Sequence, residues 1–229
     1  MRLGRRSFTA GALAAAVPAG IARAETYPSR IIKIIVPISA GSTTDVVARS
    51  VGEDLRVALG QTVLVDNRPG AGGTIGAAAV AKSPPDGYTL LVVSASHTAN
   101  AALYSSLPYD TQKDFRGITR LAIAPLILVT SPGKNIKSVA DLVARAKAHP
   151  GEMTYGSGGV GSAAHMNAEQ FRAMAKFDAV HVPYRGTPEM MADVIAGRVD
   201  FGFISTVTAL GALHDGKLVA LACGAGQRS

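Results

Sequence analysis

A single cysteine, Cys223, and no tryptophan occur among 229 residues. A lone thiol excludes an internal disulfide and any multi-cysteine zinc site. Cys223 closes the strand-like run Leu218–Cys223 and reads as a small apolar residue. Aromatic side chains make up only 5% of the chain. No Lys/Arg cluster is interleaved with them, which argues against a nucleic-acid surface. Hydrolase signatures are missing as well: there is no G-x-S-x-G elbow and no H-E-x-x-H pair. Ser131-Pro132-Gly133-Lys134 fits S-x-x-K, but it lies in a Pro-Gly turn without the partner motifs. No metal site and no cofactor is expected. Nor is there an apolar run of the ~20 residues a membrane span needs; the longest, Phe8–Ala22, is too short and too weakly apolar.

That run is instead the middle of an export signal spanning residues 1–24. A basic start precedes it, and Ala22-Arg23-Ala24 is an A-x-A cleavage site. The pair Arg5-Arg6 resembles a twin-arginine signal, so the expected location is the periplasm. Arg2, Arg5, Arg6 and Arg23 account for four of the 23 basic residues, and no acidic residue accompanies them. Net charge beyond residue 24 therefore falls from +7 to +3. A mildly positive protein suits an acidic small molecule.

From Arg30 the chain alternates strand-like and helix-like segments. Ile31–Val36 is a β-branched run of the kind buried on both faces of a parallel sheet. Val47, Val51, Leu55 and Leu59 recur at helical spacing up to Gly60. Strands are predicted at Thr62–Val65 and Tyr88–Val93, with a small helix over Thr74–Ala81 between them. The run Ile118–Thr130 contains Pro125, which cannot sit in a central ladder, and reads as two strand pieces with a bend. Beyond it come a Ser138-capped helix (Val139–Ala148), a helix to Ala175, strand Ala179–Tyr184, and helix Pro188–Ala196 capped by Thr187. Strand Val199–Ile204, a short helix to Asp215 and strand Leu218–Cys223 follow. This alternation predicts open, mostly parallel α/β sheets flanked by helices, divided near Pro125 into two domains.

The most informative stretch is Tyr155–His165, YGSGGVGSAAH. A strand feeding a Gly/Ser loop at a helix N-terminus aims free N–H groups and the positive helix end at one point, which is an anion-binding device. The same strand, Gly/Ser/Thr loop and helix recur at Ile34–Asp45. Two such loops across a cleft would grip one anion from both sides. Gly156–Gly161 also matches G-x-G-x-x-G, so an exported nucleotide-dependent oxidoreductase is the alternative. Against it, the acidic residue expected at the end of the next strand is replaced by Tyr184-Arg185. The run Gly70–Gly76 misses that spacing and reads as a turn for close packing. Of the five histidines, His165 alone falls in the first turn behind the loop, where it either touches a bound anion or serves the structure. Asp45 holds the equivalent position in the first half, either as a helix-start carboxylate or as a ligand contact.

Several segments together resemble the periplasmic solute receptors of tripartite tricarboxylate transporters, the Bug-type proteins. They are YPSRIIKIIVPISAGSTTDVVAR, LGQTVLVDNRPGAGGTIGAAAVAKSPPDGYTLL, LPYDTQKDFRGITRLA, MTYGSGGVGSAAHMNAEQF, VHVPYRGTPEMMADVIAGRVDFGF and LHDGKLVALA. The resemblance implies a two-domain, hinged receptor of the type II-like periplasmic binding protein class, not an enzyme. It would hold a small di- or tricarboxylate or related organic acid between domain 1 (25–123) and domain 2 (124–223). By position, the first grip would be Ser39, Gly41, Ser42, Thr43, Thr44 and Asp45, with Ser94, Ser96 and His97 at a neighbouring strand end. The second would be Ser157, Gly158, Gly159, Gly161, Ser162 and His165, with Tyr184, Arg185 and Ser205. Implied partners are the ligand and the transporter's membrane permease subunits, or alternatively a sensor kinase, for a soluble monomer that does not bind nucleic acid.

The chain departs from the family pattern where Ser42 follows Gly41 in place of a second glycine, and where FGFIS ends in Ser205. Family chains also continue past the segment resembling LVALACGAGQRS. The expectation is therefore that 224–229 begins a second hinge crossing whose return segment in domain 1 is missing.

Overall fold

The computed structural model describes residues 26–224; residues 1–25, with the expected export signal, and 225–229, with most of the expected second hinge crossing, lie outside the described residues. The first sheet has three parallel strands in the order β2 (Val63–Asn67), β1 (Ile32–Val36) and β3 (Thr89–Leu91). Ile32, Ile34, Ile35 and Val36 are all buried, as the β-branched run predicts for a central strand.

Helix α1 (Thr43–Leu59) lies on this sheet and ends at Gly60, whose φ of 61° is the left-handed turn of a helix C-terminus. Its buried positions are Asp45, Ala48 and Gly52 rather than the branched residues of the apolar stripe. Gly52 faces the sheet, where a Cβ would make ordinary contacts with Ile34, Val63 and Val65 at 3.5–3.6 Å. After a 3-10 turn at Ala71–Gly73 comes α2 (Thr74–Ala81). At Gly76 a Cβ would come within 2.7 Å of Pro37 and 2.9 Å of the Arg68 carbonyl, so this glycine does serve close packing.

Three stretches differ from expectation here. The predicted strand Tyr88–Val93 is shorter, and Ser96–Leu103 forms a helix, α3, which the sequence pattern did not indicate. The segment Ile118–Pro125 forms no strand, and Ile118 and Ile123 are 79% and 75% exposed. Pro125 supplies no N–H, and only from Leu126 does the chain find strands to pair with on both sides.

The second sheet has five strands in the order β6 (Val180–Pro183), β5 (Thr154–Ser157), β7 (Phe201–Ser205), β4 (Leu126–Thr130) and β8 (Val219–Cys223). Strands β6, β5 and β7 are parallel; β4, entering from the first sheet, runs antiparallel to both its neighbours. Helices α4 (Val139–Ala148) and α5 (Ala163–Ala175) cover one face around Leu142, Tyr155 and Phe201. Helices α6 (Thr187–Ile195) and α7 (Thr206–His214) cover the other around Met190, Val194 and Ile204. The cap of α6 is Gly186, not Thr187, and it makes no side-chain cap bond. Glycine is required there because a Cβ would meet Ser39 of the first lobe at 2.6 Å.

Candidate functional site

Five loops leave carboxyl ends of strands and converge on one cavity of about 100 Å³ between the two sheets, as expected for open α/β sheets. From the first lobe come Pro37, Ile38 and Thr44 after β1, Gly70–Gly73 after β2, and Val93, Ser94, Ser96, His97 and Asn100 after β3. From the second come Gly158, Gly159 and Ser162 after β5, with Tyr184 and Arg185 after β6. Helices α1, α2, α3, α5 and α6 all begin at or beside this cavity, and each leaves first-turn N–H groups outside its own ladder. Ser42 and Ser162 cap α1 and α5 in the same way. Each hydroxyl accepts from an N–H three residues on, of Asp45 at 3.3 Å and of His165 at 3.2 Å.

The charge balance is one-sided. Arg185 is the only Lys, Arg, Asp or Glu on the lining, and it has no acidic partner among the described residues. Burial holds the His97 imidazole below its usual range, so it faces the cavity neutral at neutral pH. The hydroxyls of Ser94 and Ser96 hydrogen-bond each other at 2.9 Å. Tyr184 turns its hydroxyl away, donating to Asp193 at 2.5 Å. Burial and that carboxylate push the phenol up to about 12.

The remaining residues singled out from the sequence stand off the lining. Asp45 is buried beneath the first loop, where it accepts from the Gly41 N–H (2.9 Å), Arg49 (3.0 Å) and Asn67 (2.9 Å). Burial would raise its carboxyl, but those hydrogen bonds outweigh burial and hold it below the usual aspartate value. Gly41 takes the left-handed φ of 76° that the turn needs. Ser39 donates to Glu189 at 2.8 Å, and the hydroxyls of Thr43 and Thr208 lie 3.0 Å apart, so both residues join the lobes. Ser157 is fully buried, 2.7 Å from His181 Nε2. Gly161 and His165 form the back of the second loop, the Gly161 N–H donating to His165 Nδ1 at 3.1 Å. Ser205 is buried at the start of α7, and its hydroxyl has no hydrogen-bond partner among the described residues.

Sequence reasoning missed Asn100 and the Gly70–Gly73 loop. Asn100 is buried on the unforeseen α3 and donates to the Gly72 carbonyl at 2.9 Å. The Gly-rich run reads as a packing turn, which is true of Gly76, but Gly72 and Gly73 face the cavity. Its place directly after a strand is the signal that would have found it.

The dinucleotide fingerprint has other uses for its glycines. Gly156 lies inside β5, where a Cβ would come within 2.5 Å of Met190 Cγ, so this position serves sheet–helix packing. Among the described residues no group of three His, Cys, Asp or Glu is placed to hold a metal ion, and no helix is long and apolar enough to cross a membrane.

Residues 47–229 match the tripartite tricarboxylate transporter family receptor. The chain belongs to this family. It is 39% identical over 216 residues to the protein BugT of Bordetella pertussis, covering 92% of this chain and 66% of that one. A protein from the tcbD-tcbE intergenic region of Pseudomonas sp. strain P51 is 35% identical over 209 residues, 90% of this chain and 62% of its own. The chain thus spans just under two thirds of the length of these curated relatives. Among solved structures, R. palustris Rpa4515 with adipate superposes with a TM-score of 0.85 at 33% identity, over 88% of this chain and 68% of that one. MatC from Rhodopseudomonas palustris with bound malate gives 0.83 at 31%, over 88% and 69%. The fold is therefore that of the two-domain periplasmic binding proteins, and the family is one of receptors rather than enzymes.

Proposed function

We propose that this chain is an extracytoplasmic solute receptor that closes on a small carboxylate and delivers it to a tripartite tricarboxylate-type membrane transporter. The observation that carries the reading is the lining. Five helix starts and one unpaired arginine face a cavity that no carboxylate side chain enters. Relatives solved with adipate and malate support the same ligand class. Of the residues expected to bind, we assign direct contact to Thr44, Ser94, Ser96, His97, Gly158, Gly159, Ser162, Tyr184 and Arg185, and add Gly72, Gly73 and Asn100. A cavity of about 100 Å³ is small beside the several hundred that cofactor sites occupy, which disfavours the nucleotide alternative. The A-x-A site at Ala22–Ala24 supports export to the periplasm.

Affinity needs few contacts. Micromolar binding is about −8 kcal/mol, and hydrogen bonds to a charged group contribute ~1.5–3 kcal/mol each. A handful from two lobes suffices after the costs of association. Calorimetry on the full chain with malate, adipate, citrate and a neutral sugar tests this. Micromolar binding of at least one carboxylate and none of the sugar is expected; heat from no carboxylate at any concentration up to millimolar would reject the assignment.

A further inference from the structure

We infer that His165 is a positioning residue whose neutral imidazole holds the second-lobe loop in its binding geometry, so that ligand affinity is linked to a proton at this ring. The inference rests on the receptor reading above and names a regulation of that same site.

His165 grips the loop at two points. Its backbone N–H donates to the Ser162 hydroxyl at 3.2 Å, and its Nδ1 accepts from the Gly161 N–H at 3.1 Å. Gly161 has a left-handed φ of 77°, and the Ser162 N–H returns to the Gly159 carbonyl at 3.1 Å. These bonds set how Gly158, Gly159 and Ser162 present themselves to the cavity. An Nδ1 that accepts from an amide carries no proton. Protonation would set donor against donor and release the turn.

The groups packed around the ring work against a charge on it. His181 of β6 stacks on His165 with centroids 4.2 Å apart and planes 23° apart, and Tyr155 of β5 stacks on His181 at 4.9 Å. The second ring is tied to the same loop, because Ser157 bonds both His181 Nε2 (2.7 Å) and the Gly159 N–H (3.1 Å). Two rings in such contact cannot both be cationic at low cost. The one nearby carboxylate, Glu169 of α5, is already occupied. It accepts from the Tyr155 hydroxyl and takes two bonds from Arg172 at 2.8 and 2.9 Å. Burial, the largest influence, and Arg172 lower the His165 imidazole despite Glu169; burial and His165 lower His181 to about 4. The loop-released state binds the extra proton, so acid favours it and neutral pH favours the grip.

The test has two arms on the full chain. Without ligand, amide and imidazole NMR signals are followed from pH 7.5 downward. The Gly161 amide is expected to shift with the midpoint of the His165 ring, below 6.5, and to stay still in His165→Asn, whose side-chain oxygen accepts without titrating. With malate as probe, affinity should fall roughly tenfold per pH unit below that midpoint for one linked proton. Comparing the chain with His165→Asn on the same ligand cancels malate's own titration, and the variant's slope should be shallower by that amount. A Gly161 amide that ignores the His165 titration, or equal slopes in the two proteins, would overturn the inference. Failure to bind malate or any other carboxylate would count against the receptor reading alone, since the ligand-free arm decides the proton link by itself.

Discussion

Arg185 concentrates the chemistry of the cavity into one side chain. Asp45 and Asp193 are each paired with an arginine of their own, Arg49 at 3.0 Å and Arg198 in a short ion pair, and these two and Glu189, which Ser39 bonds, all stay off the lining. The cavity therefore keeps a net positive lining. Replacing Arg185 with Gln should weaken carboxylate binding by tenfold to a hundredfold, on the scale of one lost charge-assisted hydrogen bond at ~1.5–3 kcal/mol. Thermal stability should be unmoved because the side chain is exposed and unpaired. Calorimetry and a melting curve on the same variant separate the two effects, and undiminished affinity would remove Arg185 from the site. At this scale the sequence was legible where a polar residue ends a strand, as with Ser94, Ser96 and Arg185. It was not legible for Asn100, because nothing in SHTANAAL announces a helix of only eight residues without a side-chain cap. Nor did it separate Ser162, which lines the cavity, from Ser157 five residues earlier, which is fully buried against His181.

Among the elements, two glycines show how packing decides whether a Cβ is welcome. Gly52 sits in the middle of α1, where glycine costs about 1 kcal/mol relative to alanine. A Cβ there would make ordinary contacts with Ile34, Val63 and Val65. Gly52→Ala is expected to raise stability by up to ~1 kcal/mol. Gly156 in β5 is the opposite case, because its missing Cβ makes room for the fully buried Met190. Gly156→Ala should cost ~1–3 kcal/mol by overpacking. Chemical denaturation of the two variants beside the parent chain checks both signs. If both substitutions moved the midpoint the same way, the packing argument for one of them would fail. The helices and strands themselves were mostly readable from periodicity and caps, as at Ser138 and α4. The exceptions, α3 and the stretch Ile118–Pro125, lack a local signal or lack a strand partner.

Across the whole molecule, direct bonds join the lobes. Ser39 reaches Glu189, Thr43 reaches Thr208, and the backbone at Gly186 passes so close to Ser39 that no Cβ fits. These contacts favour the closed arrangement, and a ligand touching both lobes adds to the same bias. Glu189→Ala removes one latch without touching the cavity lining. It should open the ligand-free protein, seen as a larger radius of gyration in solution scattering. Affinity should drop several-fold, since one such bond is worth about 1 kcal/mol. Identical scattering profiles for the two proteins would show that the latch does not govern closure.

The sequence alone determined the alternation of strands and helices, the two Gly/Ser loops at helix starts and the family, because periodicity, caps and short motifs are local properties of the chain. Tertiary structure decided which polar groups in those loops are free for a ligand. Asp45, Ser157 and His165 sit at positions that local rules mark as anion-facing. Each is claimed from behind by residues distant in sequence: Asn67 for Asp45, and the ring of His181 for Ser157 and His165. A hydrogen-bonding group can serve the scaffold or the ligand, and only packing in three dimensions settles which.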